Sequence, residues 1–159
     1  EYRHNEAILP QMLDSFKKNL KKSYFEDSSV KLIDPKLPEL FNSLRSRGIK
    51  IALNSGFSVD IQEELIDKLS MRDFIDGYIS SESVPHGRPE PYMINELMSR
   101  FEITDPKSVV KVGDSINDIL EGKNANCYKS IGVLSGAETH ENLIENGADE
   151  ILKSVMYLC

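Results

Sequence analysis

At 159 residues and 40% hydrophobic content, the chain has the length and composition of one globular domain with a real core. Its net charge of −7, with no basic face to offset it, argues against a nucleic-acid or membrane-surface partner. No apolar stretch approaches the length of about 20 residues that spans a bilayer. No signal sequence opens the chain, so a cytoplasmic setting is expected.

Taken in order, the first element predicted is a helix from about Asn5 to Tyr24, with Leu9, Leu13, Phe16 and Leu20 at helical spacing and Pro10 in its first turn. Lys17, Lys18, Lys21 and Lys22 form its wet side. A polar break at Glu26 to Ser29 follows. Pro35 and Pro38 open a second helix, Glu39 to Arg47, which Gly48 ends. Ile49 to Leu53 reads as a strand, Val59 to Leu69 as a helix, and Gly77 to Ser80 as a short strand. A helix starts near Pro91 and carries Met93, Ile94, Leu97, Met98 and Phe101. Val109 to Val112 is an apolar β-branched strand, followed by a helix to Asn124. Cys127 to Leu134, Glu138 to Asn146 and a short segment at Ile151 give strand, helix and strand. The two cysteines, Cys127 and Cys159, make no metal or redox motif, which fits a reducing compartment.

Strands alternating with helices at this spacing build βαβ units. The fold class expected is therefore α/β, a three-layer doubly wound parallel sheet. The first helix stands outside the alternation and is expected to belong to a second, small helical unit.

Three strand ends carry residues that chemistry can use. Asn54, Ser55 and Gly56 turn from strand to helix through a hydroxyl and a glycine, which with the turn's N–H groups makes an anion site. The plain alternative is an N-cap, Ser55 or Ser58, for the helix at Val59. Arg88 lies between two prolines in a stiff loop, fit to hold a guanidinium for phosphate or for a carboxylate such as Asp114; the alternative is a surface arginine. His86, nearby, reads as a solvated loop residue. Gly113 ends a strand, with Asp114 at its tip and Asp118 one turn into the next helix. Hard oxygen ligands there suit Mg²⁺, although Asp118 by itself reads as a helix-start acid.

This pattern resembles the haloacid dehalogenase superfamily of Mg²⁺-dependent phosphohydrolases. Its second motif matches Ile49 to Ser55, its third Arg88, and its fourth Gly113, Asp114 and Asp118. The stretch Gly87 to Pro91 further resembles the phosphonatase-like (phosphonoacetaldehyde hydrolase-like) branch. So do Asn54 to Phe57, Gly132 to Gly136 and Gly147 to Asp149. The resemblance implies that Asp114 binds Mg²⁺ directly and that Asp118 supports it. It implies further that Ser55 with the Gly56 amide holds a phosphoryl oxygen, and that Arg88 balances charge. Ser55, Arg88 and Asp114 are the catalytic candidates. Asn54, Ser55, Gly56 and Arg88 are the phosphate-binding ones. A phosphonoacetaldehyde hydrolase would add a Schiff-base lysine from its cap, for which Lys17, Lys18, Lys21 and Lys22 are the candidates.

One family feature has no match. The first motif, an apolar strand ending in a nucleophilic aspartate, does not occur, and Asp14, Asp27 and Asp34 stand alone. In the family that strand lies between those matching Ile49–Leu53 and Val109–Val112. The expectation is a chain lacking its N-terminal segment, with residues 1–34 the last part of a helical cap and 35–159 the Rossmann-like core. It would be inactive alone, with that segment and a small phosphorylated metabolite as its partners; a homodimer is compatible. The alternatives are a non-catalytic phosphate- or partner-binding relative and a phosphomutase of the same family.

Overall fold

A computed structural model describes residues 8–26 and 30–158; the expectations that fall on Asn5, Asp27 and Cys159 lie outside them. Helix α1 (Ile8–Lys21) runs into a π-helical turn (Lys22–Glu26). From Leu37 onward helices and strands alternate: α2 (Leu37–Ser46), β1 (Ala52–Ser55), α3 (Val59–Lys68), β2 (Gly77–Ser80), α4 (Tyr92–Arg100), β3 (Val110–Gly113), α5 (Ile116–Asn124), β4 (Lys129–Val133), α6 (His140–Glu145) and β5 (Glu150–Leu152). Every strand pair is parallel. The α/β class read from the alternation is the class observed.

Among the described residues the strands form two sheets, β1–β2 and β3–β4–β5. β1 and β3 do not pair with each other, although side chains from both meet, as described below. Strand alternation sorts the helices into layers. Leu53 and Tyr78, opposite each other in the β1–β2 ladder, pack with Leu37, Phe41 and Leu44 of α2 and Ile66 of α3. Ala52 and Ile79 point the other way and pack with Met93 and Leu97 of α4. Ile94 of α4 in turn meets Ala125 and Cys127 at the end of α5. Helices on both faces bury the apolar sides of the strands, and this burial drives the fold.

β1 begins later than the apolar run Ile49 to Leu53 suggests. Its ladder starts at Ala52, opposite Gly77. Just before it, the Ile51 N–H donates to Asp76 Oδ2 at 2.9 Å, and the Asp76 N–H donates to the Ile51 carbonyl at 2.7 Å. A carboxylate thus takes the donor that a ladder partner would have taken, and regular pairing is deferred. The segment after α1 is tied to the layered part through α3: Lys68 Nζ donates to the carbonyls of Tyr24 (2.8 Å) and Phe25 (3.2 Å). The Tyr24 ring meets Phe57, in the β1–α3 turn, edge-on at 5.4 Å.

Candidate active site

The site is built on the carboxyl ends of β1 and β3 and on the loop before α4. At the tip of β1, Ser55 Oγ accepts the Phe57 N–H at 3.0 Å and so closes a tight turn. It does not cap α3. Ser58 holds the N-cap position, yet its hydroxyl donates to Asp60 at 2.5 Å, and the Val59 N–H goes to Glu82 at 3.2 Å. The capping alternative for Ser55 and Ser58 is therefore corrected: a carboxylate from beyond β2 out-competes the hydroxyls as acceptor. Acting as acceptor leaves Ser55 with its own O–H to donate.

Arg88 reaches this turn. A β-carbon placed on Gly56 would stand 3.5 Å from Arg88 Nη2, so the guanidinium lies against a residue whose lack of a side chain leaves it room. Its Nη1 stands 2.5 Å from Asp118 Oδ1. Asn124 on α5 secures the loop by donating to the Pro89 carbonyl at 2.9 Å, and the Arg88–Pro89 peptide is cis.

Asp118 fulfils the helix-start reading and does more. Ser115 and Asp118 form a reciprocal capping box at the start of α5. Ser115 donates both its hydroxyl (2.6 Å) and its backbone N–H (3.2 Å) to Asp118 Oδ2. Oδ1 receives Arg88 and, at 2.9 Å, Lys111. Burial alone would push this carboxyl up, but the Lys111 charge, the Ser115 and Lys111 hydrogen bonds and the Arg88 charge together hold it down at about 2. Gly113 makes the approach possible, because a β-carbon there would fall 2.2 Å from Asp118 Cγ.

Below the rim, Lys111 Nζ also stands 2.9 Å from Glu121 Oε2 and donates to Asn54 Oδ1 at 2.5 Å. Asn54 Nδ2 donates to both Glu121 oxygens, at 2.9 and 2.8 Å. Glu121 is 0% exposed, Asp118 3% and Lys111 8%. This cluster joins β1 to β3 where no ladder does. Both ends of the Asn54 amide are engaged inside the molecule, so what this phosphate-binding candidate offers at the rim is its backbone.

Asp114 stands at the same strand end but turns to the loop after β4. Its Oδ2 accepts the Ala137 N–H at 3.0 Å, and its carbonyl accepts the Glu138 N–H at 3.3 Å. Of the carboxylates that the sequence offered Arg88, the one it pairs with is Asp118 and not the Asp114 given as the example. Ser55, Gly56, Arg88 and Asp118 come together at one rim, with Asp114 adjoining through Gly113.

No group of three His, Cys, Asp or Glu converges on one point among the described residues. Mg²⁺ does not require such a cage; it takes one or two carboxylates and fills its shell with water and phosphate. The oxygen donors at the β3 tip fit that chemistry. Both Asp118 oxygens are engaged by Arg88, Lys111 and Ser115, so of the two acids Asp114 is the one placed to offer an oxygen to such an ion. His86 lies 5.8 Å from the Tyr92 ring, ring centre to ring centre, and does not join the site. On α1, Lys18 pairs with Asp14 at 2.8 Å in the open.

Sequence reasoning passed over Lys111 and Glu121 as members of the site. The signals were present: a lysine interrupts the apolar strand run, and a glutamate sits three residues beyond Asp118 on the same helix face. No helix among the described residues is long and apolar enough to cross a membrane.

Residues 5–126 match the family model of the haloacid dehalogenase-like hydrolases. A phosphonoacetaldehyde hydrolase from Parabacteroides distasonis is 34% identical over 134 residues, covering 84% of this chain and 49% of that protein. One from Bacteroides fragilis is 36% identical over 95 residues, covering 59% of this chain and 36% of that protein. The chain thus spans about half the length, or less, of these curated relatives. Among solved structures, a phosphonoacetaldehyde hydrolase-like protein from Oleispira antarctica superposes with a TM-score of 0.83 at 21% identity, covering 97% of this chain and 63% of the other. A haloacid dehalogenase-like protein from Agrobacterium tumefaciens gives 0.74 at 21% identity, covering 89% and 64%.

Proposed function

The chain belongs to the haloacid dehalogenase-like hydrolases, and from that membership we propose that the full-length protein is a Mg²⁺-dependent hydrolase of a small phosphorylated or phosphonated metabolite. The observation that carries the proposal is the position of Arg88, against the Gly56 turn on one side and Asp118 on the other. A guanidinium fixed beside turn N–H groups and a hydroxyl donor is an oxyanion site.

In this reading the Ser55 hydroxyl and the Gly56 N–H hold one phosphoryl oxygen. Arg88 lies over the equatorial oxygens, whose charge is offset as the group transfers. Asp114 would hold Mg²⁺, with Asp118 supporting the site from its place beside Arg88. When bound, the ion supplies charge neutralisation at the phosphoryl oxygens. Asp118 keeps the guanidinium from swinging away between turnovers.

The nucleophile lies outside this chain. A carboxylate oxygen would attack phosphorus as the bond to the leaving group breaks, and water would then hydrolyse the acyl phosphate. The edges of β1 and β3 support this reading. Among the described residues each has a ladder partner on one side only, and a parallel strand seated between them would pair both and end at the rim. Residues 35–159 would then be the core, and residues 1–34 the final part of a cap.

The relatives make phosphonoacetaldehyde the first phosphonate to try. A phosphate monoester stands ahead of it, because no motif marks a Schiff-base lysine on α1. Lys18 on α1 and Lys22 in the turn after it are exposed, and the side chains of Lys17 and Lys21 lie outside the described residues. The test is orthophosphate release by the full-length protein from a panel of phosphate monoesters and phosphonoacetaldehyde, with and without Mg²⁺. Release that needs Mg²⁺ and disappears in Asp114→Asn is the expected result. Undiminished release by that variant would remove the metal assignment.

A further inference from the structure

We infer that the buried Lys111–Glu121 pair sets the charge of the oxyanion rim, both residues acting as positioning residues through Asp118 on Arg88. The inference rests on the phosphate-binding reading above and extends it to two residues that touch no substrate.

Asp118 Oδ1 receives two cations at once, Arg88 Nη1 at 2.5 Å and Lys111 Nζ at 2.9 Å. Were Arg88 its only partner, the carboxylate would neutralise the guanidinium that must meet the substrate. With Lys111 sharing that oxygen, part of the Arg88 charge stays available at Nη2, beside Gly56. Glu121, 2.9 Å behind Lys111, works in the opposite sense and limits how positive the rim becomes. Within the cluster the two cations, Arg88 and Lys111, balance the two carboxylates, Asp118 and Glu121.

Packing alone does not account for this arrangement. A carboxylate at 0% exposure and a lysine at 8% carry a heavy desolvation cost, and apolar residues of like volume fill such a space at least as well. Asn54 fixes the geometry, since its amide donates to both Glu121 oxygens and accepts from Lys111. The cluster therefore spans β1 and β3, and a charge change in it is felt at the tips of both strands. Charges roughly 8 Å apart at a partly buried site couple strongly enough to move anion affinity by about tenfold.

The experiment is calorimetric titration of orthophosphate into the full-length protein and its variants. Lys111→Met is expected to weaken binding by about tenfold, and Glu121→Gln to tighten it several-fold. The double variant should return to within about threefold of the wild type. Structural damage would weaken binding in both single variants, so opposite signs mark the electrostatic role. If Lys111→Met does not fold, Glu121→Gln and the double variant decide the matter, since the latter leaves no buried charge unpaired. Weakened or unchanged binding in Glu121→Gln overturns the inference. Where the wild type binds orthophosphate and Arg88→Ala loses it, weakened or unchanged binding in Glu121→Gln fells the inference and leaves the phosphate reading standing. If the wild type binds none, or Arg88→Ala binds it equally well, the phosphate reading itself fails and the inference falls with it.

Discussion

Gly136 and Asp114 approach so closely that a β-carbon on the glycine would lie 1.8 Å from the Asp114 carboxylate oxygen. The loop after β4 is therefore shaped around the acid, and the neighbouring Ala137 N–H holds it at 3.0 Å. Gly136→Ala should push Asp114 off this position and weaken Mg²⁺ or Mn²⁺ binding to the full-length protein by about tenfold or more. The loop is exposed, so the melting temperature should change little. Metal titration beside a thermal melt checks both; unaltered metal affinity would separate Asp114 from the ion.

Gly113 meets Asp118 in the same way, but in the interior. A β-carbon there would fall 2.2 Å from Asp118 Cγ and 2.3 Å from its Cβ. Gly113→Ala should destabilise the fold by roughly 2–4 kcal/mol, the range for a forced displacement among buried, paired groups. Denaturant unfolding measures it. Stability close to that of the wild type would mean that α5 shifts freely against β3.

Acid stability should carry the signature of Asp118. Its carboxyl is held at about 2 in the folded protein, below the unfolded value of roughly 3.9. A depressed carboxylate stabilises the fold above its unfolded pKa, and that contribution is lost as pH falls through the folded one. Between about pH 5 and pH 2 the contribution of roughly 2 kcal/mol should disappear. Asp118→Asn cannot titrate, so the stability difference between it and the wild type should shrink over that window. Unfolding curves for both proteins at stepped pH test this, and a constant difference would contradict it.

Asp76 anchors the start of β1. Its carboxylate accepts the Ile51 N–H at 2.9 Å and Arg45 Nε at 3.2 Å, with Lys50 at 3.7 Å. Asp76→Ala would strand a backbone donor and should cost about 2 kcal/mol, whereas Asp76→Asn keeps an acceptor and should cost less. Chemical denaturation ranks the two. Equal losses would assign the effect to charge and not to the backbone bond.

For the chain by itself, no Mg²⁺-dependent turnover of p-nitrophenyl phosphate is expected, because neither Asp14, on α1, nor Asp34, before α2, stands at a strand end where a carboxylate nucleophile is needed; Asp27 lies outside the described residues. Robust hydrolysis by the purified chain would place the nucleophile within it.

Much of this molecule follows from local pattern. Alternating apolar periods, prolines at helix starts and glycines at strand ends announced the βαβ order, and the spacing of Asp114 and Asp118 marked the β3 tip, since these rules act between residues close in the chain. Which acid faces which cation did not follow. Arg88 takes Asp118 and not Asp114 because Gly113 and Gly136 admit the two carboxylates to different sides, and both approaches exist only once β3, α5 and the loop after β4 have packed. The Lys111–Glu121–Asn54 cluster is likewise a product of assembly: it joins residues 57 and 67 positions apart, and burial alone turned an ordinary lysine and glutamate into a paired charge.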